Sequence, residues 1–268
     1  MASKKPKELL SAAQLYRLRV GNVVSAGVLA AEAAVALLWG GSHSVAVAIQ
    51  YVSLDQLATE AQQHSVYAGA IRHVFDIRYS VLAASILLAF AVCNLLAATV
   101  LRPRYEAWLQ GGAQWLRWAG LGAGGGVIAV ALGLVSGVSQ IGTLVLFFFL
   151  VLAAALLVPV AERLKQGNPA GRLPHVVCGV AFAAAVLPWV VLGLGAGAAL
   201  VWGGSLPSTL YGAYASSAIF LAAWLLAAHF RILRFGRWAD VYYSEHMHIY
   251  LGLAMASVLA WQILAGAA

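Results

Sequence analysis

Glu32 is a carboxylate deep inside a long apolar run, where a charge must be neutralised, paired or wetted, so it is the first candidate for proton or ion chemistry. The plainer account is a structural glutamate hydrogen-bonded to other helices. Glu245 and His248 stand at i, i+3, half of the Glu-x-x-His arrangement of bundle di-iron sites, but the chain lacks the second motif and the further glutamates. Haem needs axial histidines at membrane depth, whereas His229, His246 and His248 fall near the ends of apolar runs. There they are expected to exchange hydrogen bonds with headgroups, Tyr242 or Tyr243. His43, His64 and His73 fall close to Asp55, Glu60 and Asp76, in a spacing that matches no metal signature and reads as solvated loop polarity. Ala119-Gly-Leu-Gly-Ala-Gly-Gly-Gly126 is no phosphate loop, since no Lys-Ser/Thr follows it. Cys93 and Cys178 sit in apolar runs and read as small buried hydrophobes. No nucleophile–base–acid set is visible, so an enzyme is not expected.

The elements that must position these residues are membrane helices. Of 268 residues, 63% are hydrophobic and only 9% charged, against about 25% charged in soluble domains. Runs long enough to span a bilayer fall at about 20–40, 79–101, 116–136, 140–160, 175–200, 208–229 and 247–266. The first is too long for a signal peptide and is expected to be retained. Fourteen of the 16 Lys and Arg fall on one side of a seven-span arrangement; only Arg72 and Arg78 fall on the other. The positive-inside rule then puts the N-terminus in the cytoplasm and the C-terminus outside. The net charge of +7 is thus a topology signal, and no nucleic-acid partner is expected.

Residues 8–19 have helical apolar spacing and basic residues at their end, which predicts an interfacial helix before the first span. The long outer connection, 41–78, holds β-branched runs at Ser44–Val52 and His64–Phe75 that suit a short β-hairpin. Small residues predict that the third span lies in the middle of the bundle. Pro188 is expected to kink the fifth and open space beside Trp189.

Several stretches resemble heliorhodopsins, seven-helix microbial proteins that hold retinal on a lysine. Leu18-Arg19 with Asn22 resembles the start of that family's first helix. Leu173-Pro174 and Leu187-Pro188-Trp189 resemble its fifth, Tyr211-Gly212 its sixth, and Arg237-Trp238 through Glu245 to Trp261-Gln262 its seventh. The resemblance implies an all-α membrane protein with a seven-transmembrane-helix, rhodopsin-like bundle forming one domain over 1–268. It also implies the same inside N-terminus, a homodimer made through the 41–78 loop, and a prokaryotic plasma membrane.

The departures fall on the chemistry. The residue aligned with the retinal lysine is Ala256, and the only lysines are Lys4, Lys5, Lys7 and Lys165. Arg117 aligns with the family's carboxylate counter-ion, Leu29 and Asn94 with polar positions, Glu32 with a frequent glutamine and Gly252 with a serine. A Schiff base needs an amine, so no covalent retinal is expected. Gly252 and Ala256 share a helix face expected to look towards Trp189. A vestigial pocket of Trp189, Gly252, Met255, Ala256, Arg117 and Glu32 could hold free retinal, a carotenoid, a quinone or a lipid, or neighbouring side chains such as Met255 could fill it. Three functions follow: a non-enzymatic scaffold or signalling subunit with a membrane or cytoplasmic protein partner, a noncovalent pigment binder, or an ion path through Glu32. The first is preferred.

Overall fold

The computed structural model describes residues 10–203 and 208–266, so Lys4, Lys5 and Lys7 lie outside the described residues. Helix α1 (Ala12–Trp39) opens on a capping box in which Ser11 Oγ accepts from the Gln14 N–H and Gln14 Oε1 from the Ser11 N–H. From Ala12 it is one continuous helix, so residues 12–19 of the stretch expected to be interfacial lead straight into the span, while residues 8 and 9 lie outside the described residues.

Strand β1 (Ser44–Leu54), the short helix α2 (Gln56–Gln62) and strand β2 (Tyr67–Arg78) then form an antiparallel hairpin, as the β-branched runs foretold. Its register shifts by a bulge between Val47 and Ala48. There the Ala48 N–H donates to the Ser139 carbonyl at 2.9 Å, stapling the hairpin to the turn that follows the third span.

The chain re-enters as α3 (Tyr79–Ala98), followed by a nine-residue helix α4 (Arg102–Gln110). The remaining spans are α5 (Trp115–Val135), α6 (Ile141–Gly167), α7 (Leu173–Trp202), α8 (Ser208–Leu233) and α9 (Val241–Ala265). Seven helices among the described residues are thus long and apolar enough to cross a membrane. Helix α5 is the central one, with 72% of its span buried against 28% for α7. Its glycines allow this: a Cβ on Gly122 would lie 2.7 Å from the Ala155 Cβ of α6, and one on Gly120 2.9 Å from the Cys93 Cβ of α3.

Two expectations need correction. The spans expected at 140–160 and 247–266 are longer: α6 runs on to Gly167 and α9 starts at Val241, so Glu162 and Glu245 also lie inside helices, 5% and 0% exposed. Counting only the most apolar stretch trims each helix at its polar end. His248 does not reach headgroups: it is fully buried, its ring 5.0 Å from that of Trp118.

Candidate functional site

The buried polar groups collect at the end where the basic residues lie. Arg117, on the first turn of α5, donates from Nε to Glu245 Oε1 at 2.8 Å, from Nη1 to Asn94 Oδ1 at 2.7 Å and from Nη2 to Asn22 Oδ1 at 2.7 Å. Asn94 in turn donates to Ser25 Oγ, and Asn22 to the Leu18 carbonyl. Tyr105, on α4, donates its hydroxyl to the same Glu245 oxygen at 2.7 Å. A guanidinium has five N–H donors in a planar fork, and here that fork ties α1, α3 and α9 to α5.

Arg117 is 7% exposed and Glu245 is sealed. An ion pair in so dry a place is tolerable only because hydrogen bonds replace the lost water. Burial, then the adjacent Glu245 carboxylate, pushes the Tyr105 phenol well above its ordinary range, so it stays a proton donor.

A second pair lies beside it. Arg231 Nε on α8 stands 3.5 Å from Glu162 Oε1 on α6, while the Arg231 Nη atoms donate to the carbonyls of Trp238, Ala239 and Gly112. Trp118 and His248 pack in the same region, with Trp238 5.9 Å from the His248 ring. The His248 ring packs between these two indoles.

The sequence-derived pocket is divided. Trp189 and Met255 do meet, around a space of about 10 Å³, the limit for one water. The Trp189 indole N–H donates to Ser217 Oγ at 3.1 Å. Pro188 sits within the continuous α7 and opens no ligand-sized space beside Trp189 among the described residues. Gly252 faces not Trp189 but Phe90 and Leu121, 3.3 Å and 3.6 Å from where its Cβ would stand. Ala256 is sealed. Arg117 belongs to the Glu245 cluster, and the fork of three hydrogen bonds that holds it there explains why it is not at the level of Ala256. Glu32 stands apart on α1, partly exposed, its Oε2 without a partner among the described residues.

Sequence reasoning missed Tyr105, Asn22 as an Arg117 ligand, and Glu162. A signal existed for one of them: Tyr105 is an aromatic in a short polar stretch after Pro103, a helix start with a single apolar face. Among the described residues no group of three or more His, Cys, Asp or Glu is placed to hold a metal, and His73 instead contacts Asp76 at 3.1 Å.

The heliorhodopsin family model matches residues 18–268. No curated protein matches the chain.

Proposed function

Since the chain belongs to the heliorhodopsin family, whose members are generally photoreceptive rather than enzymatic and bind retinal, we propose that this member works without covalent retinal, as a non-enzymatic subunit or signalling scaffold. The residues around Ala256 do not fit the covalent pigment. Helix α9 has no lysine, and Lys165, at the far end of α6, contacts His175. A Schiff base cannot form without an amine. The observation that carries the reading is the packing. Phe90 fills the space over Gly252, and about 10 Å³ remains beside Trp189 and Met255, where a ligand pocket of ordinary size needs about 300 Å³ or more.

What survives is a rigid bundle with a polar cytoplasmic end and an outer hairpin carrying exposed Val52, Tyr67 and Ile71. We assign the hairpin to a homodimer contact, the cytoplasmic end to a protein partner and the chain to a prokaryotic plasma membrane. The test is the spectrum of the purified protein with added all-trans-retinal. The expected result is the band of free retinal only. A red-shifted band that hydroxylamine bleaches would overturn the reading.

A second reading, noncovalent binding of an apolar molecule such as retinal, a carotenoid or a lipid, is favoured by one observation away from Ala256. A groove of about 380 Å³ lies between the hairpin and α3, α5 and α6, walled by Val47, Phe75, Leu82, Val127 and Phe148. Solvent extraction of the natively purified protein decides it: a recovered pigment or a stoichiometric lipid supports this reading, and an extract with neither leaves the scaffold.

A further inference from the structure

A polar cavity of about 260 Å³ opens at the cytoplasmic end where α6, α8 and the start of α9 converge. Glu162 forms part of its wall. This carboxylate is 5% exposed, and neither of its oxygens has a well-formed hydrogen bond among the described residues; the Trp118 indole and Arg231 are its polar neighbours, and Arg231 Nε stands off at 3.5 Å. Arg231 cannot close that gap cheaply, because its Nη atoms are held by three backbone carbonyls. A buried carboxylate so placed calls for a further N–H donor from within the cavity.

Most of the other charges in the lining have the opposite sign. Lys165 and the exposed Arg234 line the same space, with Asp240 beside them, its Oδ1 already taken by the Tyr242 N–H. An incoming cation alone would meet Lys165 and Arg234, and an incoming anion alone would leave Glu162 unsatisfied. A molecule carrying both charges satisfies both. The volume is below the range of about 300–1,000 Å³ of drug-sized pockets, which suits a headgroup-sized molecule.

We propose that this cavity binds a small zwitterion with a primary ammonium directed at Glu162 and a phosphate at Lys165 and Arg234, the chemistry of phosphoethanolamine, free or as a lipid headgroup. The assignment is independent of the retinal reading.

The test is calorimetric titration of the full chain in detergent with O-phosphoethanolamine. Phosphoethanolamine is expected to bind, with ethanolamine alone, inorganic phosphate alone and phosphocholine, which has no N–H, each weaker by about tenfold or more. Glu162→Gln and, on the exposed rim where folding is not at stake, Arg234→Ala are expected to weaken binding by a similar factor. No binding to the folded wild type, equal binding of phosphate alone, or wild-type affinity in both variants would overturn the proposal. Phosphatidylcholine nanodiscs with and without phosphatidylethanolamine separate the two sources. If the response to phosphoethanolamine is lost only where phosphatidylethanolamine is present, the bilayer supplies the ligand; if it persists in both, the ligand is a free solute. Either result upholds the site.

Discussion

Arg117 and Glu245 meet at 2.8 Å, and they do so roughly three turns, about 16 Å, ahead of Ala256 along α9. This buried ion pair is therefore separate from the position where a chromophore would attach, and it can hold the bundle whatever happens at that position. Four spanning helices and α4 depend on it through Asn22, Asn94 and Tyr105.

Removing one partner strands the other as a lone buried charge. Arg117→Met is expected to destabilise by about 3–5 kcal/mol, and the double variant Arg117→Met/Glu245→Gln to recover much of that loss. Unfolding followed by circular dichroism in detergent measures it. A double variant as weak as the single one would count against the pair as the dominant contact.

Tyr105 gives the molecule an alkaline limit. Its folded-state pKa is raised above the ordinary value near 10, so the folded chain keeps a proton that the unfolded chain releases. Its contribution is complete below pH 10 and declines as pH rises above it. Stability against pH is expected to fall from about pH 10 upward, with a shallower slope in Tyr105→Phe; identical slopes would remove Tyr105 as the cause.

Two glycines separate close helix approach from backbone freedom. A Cβ at Gly122 would meet Ala155 Cβ at 2.7 Å and the Leu152 Cα at 3.2 Å, whereas one at Gly142 meets nothing within 4 Å. Gly122→Ala is expected to cost about 1–3 kcal/mol. Gly142→Ala is expected to raise stability by up to about 1 kcal/mol. Thermal melts of the two variants side by side provide the comparison, and equal effects would argue against tight α5–α6 contact.

The face of α9 around Ala256 is full rather than hollow. Gly252→Leu and Ala256→Leu, which an empty pocket would accept, are expected to destabilise by about 1–3 kcal/mol each through overpacking against Phe90 and the neighbouring helices. Melting temperatures unchanged in both would reveal unfilled space.

Orientation can be read with single cysteines in a background where Cys93 and Cys178 are alanine. An impermeant maleimide is expected to label Gln62→Cys, on the outer hairpin, in intact cells, and Asn168→Cys, between α6 and α7, only after lysis. The reverse pattern would invert the topology.

Much of the architecture was legible because bilayer-length apolar runs are a one-dimensional signal. The hairpin was legible for a similar reason, since Val45, Val47, Ile49 and Val52 alternate or cluster before a polar turn. The candidate site was not. Glu162 and Glu245 lie on polar helix ends that hydropathy trims away, and α4 is too polar and short to register as an element. Above all, the pairing of Arg117 with Asn22, Asn94 and Glu245 joins residues from four separate helices, and only the folded arrangement reveals it. Gly252 illustrates the same limit: its small size is plain in the sequence, but the Phe90 ring that occupies the space comes from another helix.

The staple at Ala48 has a mechanical consequence. The bulge frees Ala48 to grip Ser139, and the Tyr79 N–H donates to the His43 carbonyl, so hairpin, α3 and the α5–α6 turn form one clamped rim at the hairpin end of the bundle. At the opposite rim the helices are joined by side chains, one of those joints being the long 3.5 Å contact of Arg231 with Glu162. The hairpin rim is therefore held through backbone hydrogen bonds and the opposite rim through side chains, so relative motion of the helices meets the weaker restraint at the Arg231–Glu162 end.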